Sequence, residues 1–154
     1  MKEKPPWIQV LITITIFIDD MIFIDTGAFI ARYLKKDQFH QQSLSLWSDL
    51  ELKNEKLVTS NFVLDETATL LSRRAGNVFA AKRLKNIYTS YVFQILRPDR
   101  DDEITALDLM DKFSDQAVSF TDCVSFVLMN RMHIESVFTF DRHFDLAGFI
   151  RISG

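Results

Sequence analysis

From Met21 onward, short apolar runs alternate with amphipathic stretches, and this alternation restricts the fold more than any other feature of the chain. Met21–Ile24 is a continuous apolar run, as a strand buried on both faces requires. Thr26 then offers a helix cap, Phe29/Tyr33 and Ile30/Leu34 recur at i,i+4, and Lys35 and Lys36 sit at the end, where the helix dipole favours cations. The pattern predicts further helices over 39–52 (with Leu46, Trp47 and Leu50 inward), 61–74, 77–91, 101–113 and 120–132. Gly76 separates the third from the fourth. Strands are predicted over 57–59, 92–96, 136–140 and 149–152. Strands that alternate with helices form βαβ units, whose crossovers make the sheet parallel and put helices on both its faces. The expected class is therefore α/β with a central parallel sheet.

The 154 residues suffice for one domain with a real core, and fourteen phenylalanines against four glycines and three prolines fit a packed one. The domain is expected over 21–154. Residues 1–20 read as an N-terminal extension, either disordered or the product of an upstream start, since Met21 directly precedes the first regular strand. Within it, the apolar stretch 7–18 is too short to span a bilayer. Lys2 and Lys4 lend it the look of a signal sequence, but it alternates Ile with Thr, ends in Asp19-Asp20 and lacks a small-residue cleavage site. One cysteine excludes an internal disulfide framework and fits a cytoplasmic protein. The net charge of −3 argues against a module that binds nucleic acid by phosphate contacts alone. It leaves room for an acidic site that needs metal to meet a polyanion. Tyr33, Phe39 and Trp47 in the early helices exceed what a small core requires, and are expected to mark an interface.

Ile16-Phe17-Ile18-Asp19 is followed, six residues on, by Ile22-Phe23-Ile24-Asp25. Asp25 ends a strand and opens a helix, and ligands in parallel sheets bind at the carboxyl ends of strands. No crossover follows Asp19, so Asp19 and Asp20 read as a solvated turn or tail. Three more acids stand in unusual places. A helical wheel puts Glu66 in the apolar arc of Val63 and Leu70 and Asp65 on the opposite side. Asp122 lies three residues after Ser119, as in a capping box, on a helix apolar nearly all round. Asp141 follows the strand predicted over 136–140. Asp115 is a weaker candidate, and Asp99, Asp101, Asp102 and Glu103 read as a solvated helix start. Two bare carboxylates about 5 Å apart repel by roughly 3 kcal/mol at an effective dielectric near 20. Four at one sheet end must protonate in part or bind cations. Oxygen ligands without His or Cys suit Mg²⁺ or Mn²⁺, ions that can assist phosphodiester hydrolysis.

The segments IFIDTGAFIA, NFVLDETATLL, VSFTDCVSF and VFTFDRHFDLAGF resemble, in order, the four acidic motifs of PIN-domain proteins, especially VapC-type toxins. The resemblance runs from Met21 to the end. It implies a three-layer α/β/α fold and a Mg²⁺- or Mn²⁺-dependent ribonuclease, often half of a toxin–antitoxin pair. Carried over by position, Asp25, Glu66, Asp122 and Asp141 are the metal ligands and catalytic residues. Thr26, Asp115 and Thr139 are accessory candidates, Thr139 to hold a water or phosphate. The implied partners are RNA, a second copy of the chain in a homodimer, and a cognate antitoxin, with no membrane. A PIN-domain RNA-processing nuclease that is not a toxin satisfies the same residues. A phosphoacceptor receiver domain shares paired acids after its first strand, but the lysine and second aspartate it needs are missing from convincing places. Arg73, Arg74, Lys82, Arg83 and Lys85 are candidates to line an RNA groove.

Overall fold

The computed structural model describes residues 21–152; the extension at 1–20, with Asp19 and Asp20, lies outside the described residues. The chain begins with β1 (Met21–Ile24), followed by α1 (Thr26–Tyr33), α2 (His40–Lys53) and β2 (Lys56–Ser60). It continues through α3 (Asn61–Ala75), α4 (Asn77–Thr89), β3 (Phe93–Leu96), α5 (Arg100–Lys112) and α6 (Phe120–Arg131). It closes with β4 (Ser136–Phe138), α7 (His143–Leu146) and β5 (Ile150–Ile152). The five strands form one sheet in the order β3-β2-β1-β4-β5, with every pairing parallel. Helices flank it on both faces. That is why Ile22, Phe23 and Ile24 are all buried: β1 is the central strand and has no solvent side.

The core is aromatic. Trp47 lies 5.7 Å from Phe29 and 5.2 Å from Phe138, centroid to centroid, and its indole N–H donates to the carbonyl of Ala28. Trp47 is thus a core residue, contrary to the interface expected of it. Phe39 is also engaged, stacked on Phe140 at 4.3 Å with the rings 1° apart. Gly76 ends α3 at φ +87°, a conformation that favours glycine, and separates α3 from α4 as the sequence indicates.

Two further expectations are corrected. Asp102 is not solvated: it is buried, shares a capping box with Asp99 at the start of α5, and pairs with Arg131 of α6. The pairing joins two helices, so the carboxylate is neutralised where it is buried. Strand β4 stops at Phe138 instead of running to residue 140. Where the backbone leaves the sheet, the Thr139 hydroxyl accepts a hydrogen bond from the amide of Asp141. The short helix α7 was absent from the expected pattern, being too brief to show a period of 3.6.

Candidate active site

Asp25 occupies the position just before α1, with extended backbone, and its amide donates to the carbonyl of Phe138 on β4. The neighbouring strand therefore fixes where this carboxylate stands. Its side chain makes no capping hydrogen bond; it accepts from the Thr139 hydroxyl at 2.8 Å. Thr26 is accordingly not the cap expected from sequence but the first helical residue. Its hydroxyl donates across to Glu66 Oε2 at 2.6 Å. Helix α3 is capped by Ser60, whose hydroxyl accepts from the amide of Val63, and it points Val63 and Leu64 inward. Glu66 is half-buried on the site side and Asp65 is exposed, as the helical wheel requires.

Asp122 is the third residue of α6. Its amide donates to Ser119 Oγ at 3.1 Å, and its Oδ2 accepts from the amide of Ser119 at 3.0 Å. It is a true capping-box acid and also a buried wall of the site. Asp141 lies in the loop after β4. Its Oδ1 accepts from the amide of His143 at 2.9 Å, and the imidazole Nδ1 lies 3.0 Å from the same oxygen. Thr139 links two of the acids, donating its one hydroxyl proton to Asp25 while accepting from the Asp141 amide.

Asp25, Thr26, Glu66, Asp122 and Asp141 line one cleft of about 750 Å³. Thr139 is fully buried behind them, and its proton is committed to Asp25, so it orients carboxylates. Asp115 is not brought in; it is exposed on the connection between α5 and α6. Sequence reasoning missed His143, which lies against Asp141 in the same cleft. Asp122, Asp141 and His143 each offer a ligand atom within 4.8 Å of the others, so the donors are not carboxylates alone. The run Asp141-Arg142-His143 carries the signal, since two residues of spacing permit the turn seen here. Ser119 and Arg74 also line the cleft, as do the stacked rings of Phe39 and Phe140.

The crowding has an electrostatic signature. Burial above all, then the Asp122 carboxylate, pushes the Asp25 carboxyl from 3.8 up to about 7, with Glu66 adding to the rise. The hydrogen bond from Thr139 and the backbone N–H of Thr26 oppose it. Burial likewise raises Asp122, against the lowering effect of the Ser119 hydrogen bonds, with Asp141 and Glu66 raising it further. Acids that are reluctant to ionise together are stabilised by a divalent cation, and clustered carboxylates beside one imidazole form a donor set that fits such an ion.

The PIN-domain family model matches residues 22–150. The chain is 34% identical over 132 residues to the 23S rRNA-specific endonuclease VapC20 of Mycobacterium tuberculosis, covering 86% of this chain and 98% of that one. It is 31% identical over 125 residues to the VapC ribonuclease of Archaeoglobus fulgidus, covering 80% of this chain and 78% of that one. The crystal structure of M. tuberculosis VapC20, described as a sarcin-ricin loop cleaving toxin, superposes with a TM-score of 0.79 at 30% identity. That superposition covers 86% of this chain and 99% of the other.

Proposed function

The chain belongs to the PIN-domain family, with VapC-type ribonucleases among its relatives, and on that premise we propose that it is an endoribonuclease acting as the toxin of a toxin–antitoxin pair. The observation that carries the reading is Asp25, 5% exposed at the carboxyl end of the central strand and raised to about 7 by burial and neighbouring carboxylates. Its side chain makes no capping hydrogen bond, so a helix cap does not explain a carboxylate placed among like charges. The reaction is hydrolysis: a water oxygen bonds to phosphorus and gives up a proton, the bond to the leaving oxygen breaks, and that oxygen takes up a proton in turn.

Asp25, Glu66, Asp122 and Asp141 would hold Mg²⁺ or Mn²⁺, which when bound makes water a better nucleophile and steadies the leaving oxygen. The protein's own contribution is preorganisation. Thr139 holds Asp25, Thr26 holds Glu66, Ser119 holds Asp122, and the amide of His143 holds Asp141. The carboxylates therefore need no rearrangement as charge develops. We place the protein in the cytoplasm; no described helix is long and apolar enough to cross a membrane. Exposed Ile104, Leu107 and Met110 along α5 support a homodimer, and a cognate antitoxin is the further partner.

The chain's similarity to the M. tuberculosis 23S rRNA-specific endonuclease makes 23S ribosomal RNA the first substrate to assay. Wild-type protein is expected to cut it with Mn²⁺ and not with chelator, and Asp25→Asn to lose orders of magnitude in rate. Equal cleavage by wild type and variant, or cleavage indifferent to chelator, would remove the metal-nuclease reading. A small antitoxin gene beside this one separates toxin from processing enzyme.

A further inference from the structure

A protein of net charge −3 with five acids lining its cleft repels RNA unless positive charge is concentrated on the approach. The structure contains such a concentration. Asp37, Gln38 and Arg74 line the acid cleft and also a second cleft of about 810 Å³, whose walls include Tyr33, Lys35, Lys36 and Phe79. Tyr33 and Lys35 in turn border a third, of about 430 Å³, into which Arg83 faces. Each cleft thus shares lining residues with the next, in an order that makes a path leading away from the carboxylates.

Four of the five lysines and arginines that line the second and third clefts carry no ion pair, Arg32 being the exception, and they share this with most cations among the described residues. Arg32, Arg131 and Arg151 are paired with Glu51, Asp102 and Asp145. Among the described residues, Lys35, Lys36, Arg74 and Arg83 have no carboxylate within ion-pairing distance. Arg83 is held by rings instead: its guanidinium carbon lies 5.3 Å from the centroid of Tyr33 and 4.8 Å from that of Phe79, and its Nε is buried with no hydrogen-bond partner. Its charge is positioned without being neutralised. Asp37, the acid on the path, has Oδ1 engaged by the amide of Phe39. Arg73, Lys82 and Lys85 do not line these clefts, so the sequence-based set of basic candidates reduces to Arg74 and Arg83 and gains Lys35 and Lys36.

We infer that this path, from Arg74 over Lys36 and Lys35 to the Tyr33–Arg83–Phe79 stack, binds one arm of the RNA strand as it leaves the acid cluster. The inference rests on the ribonuclease reading above. Unpaired cations interleaved with aromatic rings are the composition of a single-strand platform, the cations meeting phosphates and the rings offering faces for bases. Continuity with the acids favours the cut strand over a protein helix, which would seek an unbroken apolar stripe.

The test is cleavage of a labelled RNA with Mn²⁺ across a range of monovalent salt, comparing wild type with two double variants of equal charge. Lys35→Ala/Lys36→Ala removes two cations from the path, and Lys82→Ala/Lys85→Ala removes two from outside it. All four side chains are exposed, and melting curves confirm folding. Each lost phosphate contact makes the slope of log affinity against log salt shallower by about 0.7. The path variant is expected to raise KM at low salt and flatten the slope by about 1.4, the outside variant to leave the wild-type slope, and Lys35→Arg/Lys36→Arg to restore it. Equal slopes for wild type and path variant overturn the inference while leaving the ribonuclease reading intact. So does an equal effect of both double variants, or a path variant that weakens only antitoxin binding. A wild type that cuts no RNA at any salt overturns the ribonuclease reading and the path with it.

Discussion

Consider Asp25→Asn in metal-free protein. In the native state the Asp25 carboxyl is raised from 3.8 to about 7, first by burial and then by Asp122. The native state therefore binds more protons than the unfolded chain between those values. A group raised on folding stabilises fully below its unfolded pKa, and that stabilisation is lost as pH climbs through the folded value. Between pH 5 and pH 8 this single titration removes about 3 kcal/mol from the wild type. Asparagine does not titrate. Its Oδ1 can still accept from Thr139, and its volume is nearly that of aspartate. Burying the extra amide N–H groups adds a cost that does not change with pH, so the pH dependence of the difference carries the prediction. Denaturant unfolding in chelator at pH 5, 6, 7 and 8 should show the variant gaining on the wild type by about 3 kcal/mol in all, roughly 10 °C in melting temperature. A difference that stays flat across this range would refute the claim that Asp25 is crowded by like charge, and with it the electrostatic argument for the site.

Mg²⁺ or Mn²⁺ should raise the wild-type melting temperature, by about 2.7 kcal/mol of stability at a hundred times the dissociation constant, and should do so much less in Asp122→Asn, as calorimetry with and without chelator would show. Thr139→Val removes the hydroxyl that joins Asp25 to the Asp141 amide; stability should fall by about 1–3 kcal/mol and RNA cleavage should drop, whereas Thr139→Ser should recover most of both. Removing residues 1–20 should leave folding and cleavage intact, because the strand–helix pattern begins at Met21; a truncated chain that melts early or cuts poorly would make the extension part of the domain.

Much of this was legible because burial leaves a mark in sequence. Met21–Ile24 is apolar without alternation, which only a central strand tolerates, and the structure places it mid-sheet. Glu66 among apolar neighbours and Asp122 on an apolar helix stood out for the same reason. What was not legible depends on contacts between distant segments. Asp102 looks like any acid at a helix start until Arg131, twenty-nine residues on, closes over it. Trp47 looked surplus until Phe29, Phe93 and Phe138 surrounded it. His143 has no periodic signature, and although its turn with Asp141 is local, its place near Asp122 depends on the start of α6 meeting the loop after β4.

On the proposed function, Asp25, Glu66, Asp122 and Asp141 together hold a divalent cation where RNA is cut. A crystal soaked in Mn²⁺ and measured for anomalous scattering tests it most directly. A peak is expected in the cleft within coordination distance of at least two of these carboxylates, absent from an Asp25→Asn/Asp122→Asn crystal soaked identically. Mn²⁺ bound only elsewhere, or a cleft peak unchanged in the double variant, would contradict it.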